Sequence, residues 1–309
     1  MRAGTLLSLI VPPFSLAILL FVSTSSLPAG SPGSPEELLE RVKITEKGSS
    51  GKSERKEAVR QLPWKQLTAD KQRVVQSVVG SSDLFRRMPT LTFEVNPAVY
   101  RYFTVHPDVA VSIWRALDVS KYRLQQTGAN DYEADSGDGT LGVIEVLSRD
   151  DGHQLILCNG EVTSPILKRK IRVQAIMHLV NVHSVSRDGR TFVTHRLDMF
   201  VSFPSEGIGA AAKLTKPISN MIIDRNFREV SLFVQMMSLA MTHQPDWVEK
   251  LSQKLDGVRP IRRKELVDLT AHVFVQNQER IQSSNETSPG SSDAERRVAS
   301  KPVDVSGME

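Results

Sequence analysis

The chain has one cysteine in 309 residues, Cys158, so no internal disulfide can form and no CxxC pair exists for metal or redox chemistry. Aromatic residues make up only 6% and do not interleave with the basic groups, which removes the stacking platform that single-stranded nucleic acid requires. The formal net charge of +4 is mild. No GxGxxG follows a strand pattern, and no P-loop, HExxH or GxSxG occurs. Gly207-Ile208-Gly209 is too short to cradle phosphates. These absences nominate no catalytic residue, no metal centre and no cofactor, and they argue against nucleic acid as a partner.

What is present begins with a targeting segment. Arg2 precedes an apolar run over residues 6–22, and serines, Leu27, Pro28 and Ala29 follow. That is the order of a secretory signal peptide cut near Ala29, or of a retained membrane anchor built from residues 5–22. Pro12 and Pro13 leave 14–22 as the continuous apolar part, short of the about 20 residues that a spanning helix needs. Export of a chain without disulfides suits the bacterial periplasm or cell envelope.

Composition then divides the chain. Residues 30–67 are rich in Gly, Pro, Ser and charge and read as a linker, mostly disordered. Residues 68–257 hold a globular domain, 258–282 a further amphipathic helix, and 283–309 a disordered tail. Within the domain, Val74, Val75, Val78 and Val79 form a weak helical pattern stopped by Gly80, and Leu91 opens a strand. His106-Pro107-Asp108 starts a helix with Val109, Val111, Ile113, Trp114 and Leu117 on its apolar side.

Strand signals dominate from there to residue 203. The turns Gly137-Asp138-Gly139 and Asp150-Asp151-Gly152 sit at hairpin spacing and predict an antiparallel meander rather than βαβ units. The clearest pair is 171–185 with 191–203. Ile171, Val173, Ala175, Met177 and Leu179 share one face of the first strand. Val193, Leu197, Met199, Val201 and Phe203 share one face of the second. A two-residue Asp-Gly turn would set these faces on opposite sides of the sheet. A three-residue loop of Arg187, Asp188 and a left-handed Gly189 brings them together, and it places Asn181 opposite His195. Beyond Pro217, Ile218, Ile222, Phe227, Val230, Val234, Met237 and Met241 recur at helical spacing.

The order is a strand, a helix, about five antiparallel strands and one long amphipathic helix. Over residues 91–241 it resembles the START-like, helix-grip superfamily. The resemblance implies an α+β fold with a curved antiparallel sheet wrapped around the long C-terminal helix and enclosing a cavity. It implies noncatalytic binding of a lipid or other apolar small molecule. Trp114, Met177, Met199, Phe203, Phe227 and Met237 would shape that cavity, and Asn181 with His195 would be its polar end.

Two other readings stay open. One is a small-molecule cyclase or hydrolase in the same cavity, with His195 as base. The other is an envelope interaction module with a filled core. Its basic groups, at Lys168, Arg169, Lys170 and Arg172 and at Arg259, Arg262, Arg263 and Lys264, would meet a membrane surface or a partner. The structural expectation for Asn181 and His195 is that they hydrogen-bond to each other. His178, His183 and His195 lie in neighbouring strands, but His178 is on the other face, so no three-ligand metal site is expected. Cys158 reads as a buried small hydrophobe. Glu145 alternates with Val143 and Leu147 and is expected to point inward, where an unpaired carboxylate is costly and where Arg196 or the cluster at 168–172 would neutralise it only in a more strongly curled sheet.

Overall fold

The structure is a computed structural model that describes residues 39–137, 140–164, 169–204 and 216–286. The expected targeting segment 1–29, the first part of the linker, Asp138, Gly139, Lys168, Gly207-Ile208-Gly209 and the tail beyond 286 lie outside the described residues.

The strands are β1 (Lys43–Glu46), β2 (Leu84–Arg87), β3 (Thr90–Glu94), β4 (Arg123–Gln126), β5 (Asp131–Asp135), β6 (Leu141–Arg149), β7 (His153–Ser164), β8 (Arg169–Val185) and β9 (Thr191–Ser202). The helices are α1 (Lys52–Arg60), α2 (Ala69–Gly80), α3 (Pro97–Val105), α4 (Pro107–Ala116), α5 (Lys216–His243), α6 (Pro245–Gln253) and α7 (Pro260–Glu286). Among the described residues the nine strands make one curved antiparallel sheet in the order β1-β3-β9-β8-β7-β6-β5-β4, with β2 also paired to β9. The α+β class and the antiparallel meander are therefore present as read from the sequence.

The central hairpin has the register that the apolar pattern demanded. Asn181 faces His195, and Met177 faces Met199. The loop is Arg187, Asp188 and Gly189, closed by Ser186 N donating to Arg190 O at 2.9 Å, with Gly189 at φ +78°. On the other side of β9, β2 and β3 run end to end with a one-residue slip: Phe85 pairs with Phe200, but Leu91 pairs with His195. Pro89 falls in the slip, where its missing N–H breaks no ladder bond.

Local signals set the helix starts. Thr68 caps α2 by accepting from Lys71 N, and Asn96 caps α3 by accepting from Ala98 N at 2.9 Å, with Pro97 in the first turn. Among the described residues no helix is long and apolar enough to cross a membrane.

The sheet is apolar on both faces at its centre. One face packs Val173, Ala175, Val193, Met199 and Val201 against α3, α4, α5, α6 and α7. The other packs Leu155, Leu157, Ile176 and Phe200 against Ala58, Leu62, Leu67, Val75 and Val78 from α1, α2 and the turn between them.

Two expected boundaries are corrected by this packing. The linker expected over 30–67 is folded where described: Ala58 is fully buried, Arg55 Nη2 donates to Val79 O at 2.8 Å, and Trp64 Nε1 donates to Val59 O at 3.0 Å. Its polar composition is that of a surface helix that buries one narrow stripe. At the other end, Leu266 and Val273 of α7 sit in the main core, so 258–282 belongs to the domain, and the helix runs to Glu286, past the expected start of the tail.

Candidate functional site

β9 carries His195 into the middle of the face covered by α3 and α5, where it is 6% exposed. The Tyr100 hydroxyl of α3 lies 3.0 Å from its Nδ1, and Ser231 Oγ of α5 lies 2.9 Å from its Nε2. Ser231 spends its own proton on Phe227 O at 2.8 Å, so it must accept from a protonated Nε2, and the Tyr100 hydroxyl donates to the bare Nδ1. The neutral ring is thereby fully satisfied. It stacks on Phe227 at 4.7 Å and meets Phe93 edge-on at 5.1 Å. Burial pushes the imidazole pKa down to about 3 and raises that of the Tyr100 hydroxyl far above its usual value. Neither nitrogen is available to take a proton from a substrate.

The expected Asn181–His195 hydrogen bond is not formed, although the two residues face each other. His195 turns to the helices instead. Asn181 gives its backbone N–H to Gly152 O at 2.8 Å, and its Oδ1 has no protein partner. Tyr100 and Ser231 escaped the sequence reading because the rotation of a helix against a sheet leaves no mark in strand periodicity.

Trp114, Met199, Phe203, Phe227 and Met237 are all buried in the main core, and Met177 is packed against it, partly exposed. Of these, Met177 borders a recess of about 50 Å³ on the same face, toward the β4 edge of the sheet. Tyr122, Ala134, Ile144, Cys158 and Ala175 also line it, and Gly142 sits opposite Gly160 at its floor. The strands approach closely there: a Cβ on Gly142 would lie 3.2 Å from Asn159 O. The Cys158 thiol is pushed up to about 12 by burial, which keeps it protonated and unreactive. Among the described residues no group of three or more His, Cys, Asp or Glu is placed to hold a metal ion.

The opposite face carries its own polar groups. Asp198, fully buried, receives both Arg87 Nε at 2.8 Å and Arg87 Nη2 at 2.9 Å. His178 is 2% exposed, neither of its nitrogens has a protein partner, and burial draws its pKa down to about 4. Glu145 lies on this face and pairs with Lys71 of α2 at 3.2 Å, which corrects the expectation that Arg196 or the 168–172 cluster would neutralise it. Beyond α2 the face opens into a groove of about 880 Å³, with Leu141 and Val143 exposed on its floor between Arg123, Asp135, Glu161 and Arg172.

No known protein family's pattern matches the chain, and no curated protein does. Among solved structures, the crystal structure of a conserved protein from Geobacillus kaustophilus matches 49% of this chain and 93% of its own, at 16% identity and a TM-score of 0.33. A likeness that slight carries no argument about fold or function.

Proposed function

We propose that this is a noncatalytic binding protein of helix-grip, START-like design, exported to the bacterial cell envelope, whose helix-covered sheet face holds a lipid or another apolar small molecule. The observation that carries the reading is the recess. Ala134, Gly142, Gly160 and Ala175 lie on neighbouring strands of a face that is elsewhere filled by large side chains. Glycine inside a strand weakens it and often marks the close approach of a ligand or another backbone. At about 50 Å³ the recess takes the end of a chain rather than a compact ring system, which favours a long flexible molecule.

The strand order β3-β9-β8-β7-β6-β5-β4, with two helices between β3 and β4 and α5 after β9, supports the helix-grip resemblance. Binding is favoured over cyclase or hydrolase chemistry because His195 is neutral and fully engaged.

Native mass spectrometry of protein gently extracted from its own host tests the reading. Wild type is expected to carry an apolar molecule. Ala134→Val, which adds two methyl groups to the recess from a half-buried position, is expected to lose it while keeping a melting temperature close to that of wild type. No bound molecule in wild type, or equal retention in a folded Ala134→Val, refutes the proposal.

A further inference from the structure

The recess beside Ala134 is polar at one end. The register of β5 to β8 orders its lining: Met177 and Ile144 bound it toward the middle of the sheet, and Ser136 and Thr140 of the β5–β6 connection bound it beyond Gly142. Tyr122 joins that second end. It stands one residue before β4, where the pairing of Arg123 with Asp135 brings it beside Ser136. Its backbone N–H donates to Ser120 Oγ at 3.1 Å, and its ring packs against the main core on the same side as Leu124.

The groups at this end differ in what they have left to offer. Ser136 Oγ donates to Thr140 O at 3.3 Å, and Ser136 N donates to the same oxygen at 3.1 Å. The Tyr122 hydroxyl has no hydrogen-bond partner among the described residues. Burial raises its pKa well above the usual phenol value, so it is a neutral donor. A phenol packed into a core normally finds an acceptor, because its O–H is costly to leave unpaired.

Charge narrows the complement further. Among the described residues the lining of the recess contains no Asp, Glu, Lys, Arg or His. The charge that reaches the Tyr122 hydroxyl is the carboxylate of Asp135, of the same sign as an incoming anion. A carboxylate end would lose its water and meet no cation, whereas a bare hydrocarbon end would leave the phenol unpaired. An uncharged oxygen suffers neither cost.

We propose that the recess selects a chain whose buried end carries an uncharged oxygen acceptor, a long-chain alcohol or aldehyde rather than a free fatty acid, and that Tyr122 reads it by donating its hydroxyl proton to that oxygen. The inference rests on the reading of the recess as a ligand site and adds the class of molecule.

The test titrates the whole protein at neutral pH with decanol and with sodium decanoate, chains of equal length, by isothermal calorimetry. Wild type is compared with Tyr122→Phe, which keeps the ring and removes only the oxygen. Wild type is expected to bind decanol about tenfold more tightly than Tyr122→Phe does, since the variant forfeits one hydrogen bond, and at least about tenfold more tightly than it binds decanoate. Should Tyr122→Phe fail to fold, the decanol and decanoate affinities of wild type decide alone. The molecule released from wild type made in its own host is expected to be an alcohol or aldehyde. Equal decanol affinity in the two proteins, decanoate binding wild type as tightly as decanol, or a free fatty acid as the released molecule overturns the selectivity and leaves the recess a ligand site. Binding of neither chain to wild type overturns this inference, and if nothing is retained on gentle extraction either, the ligand reading falls with it.

Discussion

Replacing His195 by Gln is expected to make the protein weaker at neutral pH and stronger in acid, and the crossing can be placed from the structure. In the folded protein the buried ring stays neutral down to about pH 3, whereas an unfolded imidazole protonates near 6.5. The folded pKa lies below the unfolded one, so this contribution is fully present above pH 6.5 and is lost as the pH falls toward 3. Each pH unit costs about 1.4 kcal/mol once the unfolded ring is charged, so about 2.5 kcal/mol disappears between pH 6.5 and 4.5. A glutamine amide can still accept from Tyr100 and donate to Ser231, but it gives up the stack on Phe227, a loss of about 1 kcal/mol. The two stability curves therefore cross near about pH 5.5, and the variant leads by about 1.5 kcal/mol at pH 4.5. Asp108 and Glu229, whose carboxyls burial raises, are common to both proteins and cancel in the difference. Urea unfolding at a series of pH values, with the slope m checked for constancy, measures the effect. Parallel curves would mean that the ring titrates as freely folded as unfolded, and the sealed Tyr100–His195–Ser231 chain would be wrong.

Arg87→Met leaves the fully buried Asp198 carboxylate with only Arg196, at 3.8 Å, and is expected to cost about 3 kcal/mol, most of it recovered when Asp198→Leu is added. Thermal denaturation of the single and double variants checks this, and a double variant no better than the single one contradicts it. Gly189→Ala meets no atom within 4 Å, so its expected cost of about 1 kcal/mol is purely the left-handed backbone at φ +78°. A urea midpoint unchanged from wild type would place the loop in another conformation.

The central hairpin was legible because period-two burial and a single Asp-Gly signal between long runs leave one register that buries both apolar sets. The strand β5 beside β4 was not. In β5, Asp131, Glu133 and Asp135 alternate with Tyr132 and Ala134, a strand whose inward side is one tyrosine and one alanine. β2 hides behind Arg86 and Arg87, which look like surface residues until Asp224 and Asp198 are seen to receive them. The second apolar face was missed for a related reason. Ile176 and Phe200 stand between residues that already define a buried side, so alternation alone assigns them to solvent. As for the candidate site, sequence placed Asn181 across from His195, but the partners that decide the ring's chemistry come from α3 and α5, whose approach only tertiary packing sets.

The layer made by α1 and α2 imposes an order on biosynthesis. These helices leave the ribosome early, yet Val75, Val78 and Val79 come to rest on Ile176 and Phe200, which emerge far later. Until β9 joins β8, the valines, together with Leu155 and Leu157, have only Ile176 of β8 and lack Phe200. A chain halted before that last strand leaves this layer half-covered, and a finished chain closes it with Phe200.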